Sequence, residues 1–262
     1  MSLLAALIGA VGQQGATAGG PGAYGTVVAW HDASVTGSIT QVSNEMTAWA
    51  DQSDNGVDLV APVESRRPPM NTRTMNGVAI PDFTGGFPGN GEVMYAGVGQ
   101  QILNDTDGTV TFMAVCEIDD VSDSNNLIST DGESVTRGSI LRFNHRPEGL
   151  FFRSGESTIV HSQGSTFSDG AIGVATYVLT TSTVQTWWNN AGTTATSYSG
   201  TAAPTFATQY ALGGTAKLVA DGNLDGGIAE AIAWNGALSD GDRQAMELSL
   251  ATKWGLSTTP WD

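Results

Sequence analysis

Gly227–Leu256 reads GIAEAIAWNGALSDGDRQAMELSLATKWGL, and the order of its residue types describes a strand, a turn and a capped helix. Ile228 to Trp234 is an apolar, β-prone run interrupted by a single carboxylate, Glu230. Asn235-Gly236 supplies turn chemistry, since both residue types tolerate left-handed backbone. Ser239 is placed to accept a hydrogen bond from the first free N–H groups of a helix, with Asp240 and Asp242 at its positive end. Leu238, Ala245, Leu248 and Thr252 recur at near-helical spacing and predict the face that packs down, while Lys253 suits the negative end and Gly255 the stop.

The rest of the chain reads as strands. In Val110–Ile118, Val110, Phe112, Ala114, Cys116 and Ile118 alternate with Thr111, Met113, Val115 and Glu117, which predicts a central strand with one apolar and one mixed face. Val174–Trp188 and Gln209–Val219 read similarly, and Asn189-Asn190-Ala191-Gly192 predicts a hairpin leading to a strand that starts near Thr193. With 262 residues and 34 glycines, the chain suits one large domain of short strands and turns. The expected fold is all-β: an antiparallel two-sheet, jelly-roll-like β-sandwich (26–262) with a short C-terminal helix, preceded by an N-terminal extension (1–25).

Four segments in order resemble the concanavalin A-like, laminin-G-like domains found in bacteriophage structural and bacterial surface proteins. They are Ala29-Trp30-His31-Asp32-Ala33-Ser34, Trp49-Ala50-Asp51-Gln52-Ser53-Asp54-Asn55-Gly56, the stretch from Arg67-Pro68 through Asn76-Gly77 to Phe83-Thr84-Gly85-Gly86, and the C-terminal strand and helix. The resemblance spans residues 26 to 256 and implies a concanavalin A-like sandwich, with Trp30, Trp49, Trp234 and Trp254 at core positions. It implies much less about activity, because this fold carries many functions.

Charge excludes one class of partner. Against 10 basic residues the chain has 26 acidic ones, a net charge of -16, so it should repel a phosphate backbone. Cys116, the single cysteine, falls on the apolar side of its strand and reads as a buried, inert thiol.

Catalytic signatures are missing or broken. Laminarinase-type glucanases, which share the sandwich, take two carboxylates from Glu-x-Asp-x-x-Glu, whereas Glu117-Ile118-Asp119-Asp120-Val121-Ser122 ends in serine. There is no Gly-x-Ser-x-Gly elbow and no His-Glu-x-x-His motif, and Gly97–Ile102 lacks the last glycine of a dinucleotide loop. His31, beside Asp32 in the first core strand, reads as structural. No cofactor is expected. Calcium is the one ion the oxygen chemistry admits, with Asp119, Asp120, Asp123 and Asp131 crowding one loop as candidate ligands; Asp51-Ser53-Asn55 mimics the start of an EF-hand loop, but Pro62 stands where its bidentate glutamate belongs.

Two features point to binding. Neighbouring strand residues face opposite ways, so Trp187 and Trp188 cannot both enter the core; one ring is a candidate platform for sugar, flanked by Asn189 and Asn190, or else packs under a loop or subunit. Arg142 and Arg146 stand out in an acidic chain and could hold an acidic polysaccharide or pair internally with Glu148 and Glu156.

Leu3, Leu4, Leu7, Ile8 and Val11 form an apolar run too short to span a bilayer and without the preceding basic residues of a secretory signal. The run either covers the sandwich's own core or docks into a partner subunit. The Gly-rich stretch from Gly12 to Gly25 then reads as a linker. Together these features predict a non-enzymatic virion-type decoration or fibre protein at the particle surface, homo-oligomeric, joined to other subunits through its N-terminus, with host-surface polysaccharide as candidate ligand. The alternatives are a diverged glycan-degrading enzyme and a purely structural subunit.

Overall fold

Asparagine-led turns set the hairpins. Positive φ at Ser43 and Asn44 (54° and 65°), at Asn76 (47°), and at Asn189 and Asn190 (47° and 62°) marks tight turns whose twist matches that of the flanking strands. The computed structural model describes residues 20–85, 91–96, 109–120, 125–129, 138–144, 146–152, 159–162, 168–192, 194–197, 210–214 and 223–261.

Among these residues the strands form two large antiparallel sheets and a small two-stranded one of Thr74–Met75 and Val78–Ala79. The first runs Thr26–Asp32, Asp225–Asn235, Val110–Ile118, Ala171–Leu179, Thr183–Trp188 and Ala191–Gly192, with Asp82–Thr84 and Thr196–Ser197 added at its margins. The second runs Ile159–Ser162, Arg146–Phe152, Gly138–Asn144, Asn125–Ser129, Ala211–Leu212, Met94–Ala96, Leu59–Val60, Glu45–Trp49 and Ile39–Val42. The expected all-β sandwich with one C-terminal helix is the observed architecture.

The alternating residues of Val110–Ile118 separate as the pleat requires. Phe112, Ala114, Cys116 and Ile118 join Met46, Leu59, Met94 and Leu212 in the core between the sheets. Met113 and Val115 face the other way, under Met246, Leu250 and Ala251 of the helix and Trp254 just after it. The mixed face is therefore a second buried layer, and burial lifts the Cys116 thiol far above its ordinary range.

Helix Asp240–Lys253 begins where its cap predicts: the Asp242 N–H donates to Ser239 Oγ at 3.2 Å. It ends at Gly255 (φ 69°), with Leu256 N–H donating to Ala251 C=O and Gly255 N–H to Thr252 C=O, so the last carbonyls are satisfied as in a Schellman motif. Its packing face is not the expected one. Ala245 and Thr252 are exposed, while Arg243, Met246, Glu247, Leu250 and Ala251 are buried. Arg243 and Glu247 sit one turn apart and neutralise each other, so a polar pair occupies a face that apolar spacing could not reveal.

Other boundaries also moved. Val174–Trp188 is two strands, broken after Leu179 because Thr180 Oγ1 accepts from the Ser182 and Thr183 N–H groups and closes a local turn. The strand after Asn189-Asn190 resumes at Ala191, opposite Trp188, not near Thr193. Of Gln209–Val219, only Ala211–Leu212 is strand among the described residues. Pro21, expected in a linker, is buried, and its carbonyl accepts from Trp234 Nε1 at 3.0 Å. Leu3, Leu4, Leu7, Ile8 and Val11 lie outside the described residues. Among the described residues no helix is long and apolar enough to cross a membrane.

Candidate functional site

The sequence-derived glycan candidates fall at two places. Trp188 enters the core between the sheets. Trp187 points to the opposite face, but only 6 % of it is exposed, because the Arg243 guanidinium lies 4.4 Å from its ring centroid. Arg243 Nη1 reaches Glu247 Oε1 at 2.7 Å, the same oxygen that accepts from Thr176 Oγ1 at 2.7 Å. Asn189 Oδ1 accepts from the Val174 N–H, and Asn190 is held between Arg243 and the Pro260 carbonyl. Of the two alternatives for this pair, the described geometry is the packed one: a charged side chain from the helix lies over the Trp187 ring where a sugar would stack. Arg142 stands in register between Asn126 and Glu148, and Arg146 opposite Asn144, on one hairpin of the second sheet.

Acidic groups gather at one end of the first sheet. Arg73 bonds Asp82 at 2.9 Å, Glu117 at 2.8 Å, and Asp119. Burial alone would lower the Arg73 pKa; Asp119, Glu117 and Asp82 overcome it and hold the guanidinium well above its usual range. Burial and the nearby Asp119 and Asp120 raise the Asp225 carboxyl. The Glu117–Asp119 pair is therefore tied to a fixed cation. Asp123 and Asp131 lie outside the described residues, and no grouping of three metal-ligating side chains occurs among the described ones. The calcium-like Asp51 turn is filled from within: Asp51 accepts from the N–H groups of Trp30, Ser53 and Val57 and from Ser53 Oγ.

His31 faces the core. Its Nε2 lies 3.0 Å from the Val57 carbonyl, and its ring packs 5.7 Å from both Trp49 and Tyr210. Burial lowers its pKa to about 4, against the pull of Asp51, the Val57 carbonyl and Asp58.

The most elaborate cluster is one that sequence reading passed over. Asp32 and Glu230 sit directly opposite on adjacent strands, both buried, and Lys253 from the helix end bridges them. Glu230 accepts from Trp30 Nε1 at 2.8 Å and Trp254 Nε1 at 2.7 Å. Burial and Asp32 raise the Glu230 pKa, opposed by Lys253. The residues lie in segments that carry the resemblance, Trp30-His31-Asp32-Ala33-Ser34 and the C-terminal strand and helix with Glu230, Lys253 and Trp254, but their meeting is tertiary.

No family model and no curated protein sequence matches the chain. Solved structures match in fold. Domain 4 of AbnA, a GH43 extracellular arabinanase from Geobacillus stearothermophilus in complex with arabinotriose, superposes with a TM-score of 0.54 at 10% identity, covering 86% of this chain and 99% of that domain. The binding domain of botulinum neurotoxin DC in complex with rat synaptotagmin II gives 0.60 at 10% identity over 88% of this chain and 55% of that one. A botulinum neurotoxin type C structure concerned with two ganglioside molecules gives 0.59 at 8% identity, over 86% and 51%. The chain spans about half the length of these toxin chains. At such identities the likeness establishes the β-sandwich, compatible with the concanavalin A-like domains its motifs resemble.

Proposed function

We propose that the chain is a carbohydrate-binding β-sandwich without catalytic activity. The observation that carries this reading is the domain-for-domain match to an arabinanase domain structurally characterised with arabinotriose, 99% of which is covered. The charge layout supports it. Asp32 and Glu230 are bound by Lys253, Glu247 by Arg243, and Asp82, Glu117 and Asp119 by Arg73, so none of them is placed as a free acid–nucleophile pair. With Trp187 covered, Arg142 and Arg146 remain the candidate contacts for an acidic glycan.

The finer reading is a virion-surface decoration or fibre subunit, tethered through Leu3, Leu4, Leu7, Ile8 and Val11 and assembled with copies of itself. It rests on the motif resemblance. The full-length protein and an Arg142→Ala/Arg146→Ala variant are applied to a broad glycan array, with released oligosaccharide measured in parallel. Saturable binding without release, weakened in the variant, supports the proposal. Released product overturns the non-catalytic reading, and no binding at all favours a structural subunit. Substituting Leu3, Leu4, Leu7 and Ile8 by serine should abolish assembly if the tether is correct, as read by light scattering.

A further inference from the structure

The cluster joining Asp32, Glu230 and Lys253 holds the components of an amide-forming reaction. Lys253 Nζ lies 2.5 Å from Asp32 Oδ2 and 2.6 Å from Glu230 Oε2. A nitrogen in contact with a carboxyl oxygen is close to the separation from its carbon, about 3–3.5 Å, from which attack proceeds. The other oxygen, Asp32 Oδ1, accepts from the Ser34 N–H at 2.8 Å and the Ser34 hydroxyl at 2.6 Å. Two donors aimed at one carboxyl oxygen polarise the group and can steady the charge of a tetrahedral intermediate. The indoles of Trp30 and Trp254 donate to the two oxygens of Glu230 and flank it with apolar surface. Burial and the neighbouring Asp32 favour the protonated form of Glu230.

We propose that Lys253 and Asp32 form an intramolecular amide cross-link, with Glu230 carrying the proton, so that the first core strand is joined covalently to the end of the C-terminal helix. Within the buried cluster the Lys253 ammonium passes a proton to Asp32, leaving a free amine and a neutral acid. The amine lone pair attacks Asp32 Cγ, a C–N bond forms, and negative charge gathers on Oδ1 opposite the Ser34 donors. Protonated Glu230 gives its own proton to Oδ2 and receives one from the nitrogen, so it ends in the state in which it began. The Cγ–Oδ2 bond breaks and one water leaves. One ammonium and one carboxylate become one amide and one water, with no change of oxidation state. The driving feature is electrostatic: two buried carboxyl groups face a single, partly buried ammonium, and the reaction removes the ion pair that Lys253 makes with Asp32 while Glu230 stays protonated. The link would span 221 residues of sequence and close nearly the whole sandwich.

Intact-mass spectrometry of the unfolded full-length protein tests this. The expected mass is that of the sequence less one water, and digestion should give one branched peptide joining the segments that contain Asp32 and Lys253. Lys253→Arg keeps the positive charge but lacks the nucleophile and should show the full sequence mass. Asp32→Asn should lose ammonia in place of water, and Glu230→Gln should slow the loss. Wild-type protein that melts cooperatively and yet carries its full sequence mass overturns the proposal. So does a water loss that persists in Lys253→Arg or maps to cyclisation at Asp169-Gly170 or Asp225-Gly226.

Discussion

Acid should weaken this sandwich through His31. In the unfolded chain the imidazole protonates near 6.5, whereas in the core, out of water between Trp49 and Tyr210, it resists protonation until about pH 4. Between those values the unfolded state binds more protons, so folding stability falls as pH falls, and the loss is complete below the folded value. The gap of about 2.5 pH units, from 6.5 to about 4, corresponds to about 3.5 kcal/mol at about 1.4 kcal/mol per unit. Glu230 and Asp225 act in the opposite sense, because their raised pKa values make their burial less costly as they protonate. Their contribution cancels in a comparison with His31→Gln, which keeps a side-chain donor near the Val57 carbonyl and does not titrate. Urea unfolding at pH 7.5, 6.5, 5.5 and 4.5 is then run on both proteins. Wild type should lose stability relative to the variant across this range, with most of the loss between pH 6.5 and 4.5. Parallel pH profiles would refute the placement of a neutral imidazole in the core.

Three substitutions test other parts of the fold. Gly226→Ala places a Cβ 1.9 Å from the Glu117 carbonyl oxygen at a φ of 150°, so it should separate the two central strands and cost about 1–3 kcal/mol from overpacking, with backbone strain in addition; a melting temperature equal to wild type would contradict the strand register. Arg243→Ala strips the buried Glu247 of its cation and uncovers Trp187, with an expected loss of about 3–5 kcal/mol and a red-shifted tryptophan emission; an unchanged spectrum would show that Arg243 does not cover the ring. Ser239→Ala removes the helix cap and should cost about 1 kcal/mol in urea denaturation, with no effect expected on glycan binding.

Much of this architecture was legible from local chemistry. Ser239, Lys253 and Gly255 mark the helix because capping, dipole and left-handed backbone are properties of single residues, and the alternation in Val110–Ile118 marks a strand because the pleat repeats every two residues. Whatever depended on a distant partner was not legible. Apolar spacing selected Ala245 and Thr252 as the packing face, yet the helix buries Arg243 and Glu247, since an ion pair can enter the interior once Thr176 and Trp187 are there to receive it. Trp187 looked available until Arg243, 56 positions along the chain, lay over its ring.

The sequence by itself determined the β-sandwich, its capped helix and the buried thiol, because each follows from period, pattern or a local hydrogen bond. Only the tertiary structure decided that Asp32, Glu230 and Lys253 form one cluster, that Arg73 gathers the acidic sheet end, and that His31 is enclosed by Trp49 and Tyr210. Electrostatic energies and pKa values depend on separation in space and on exclusion of water, and neither is a function of separation along the chain.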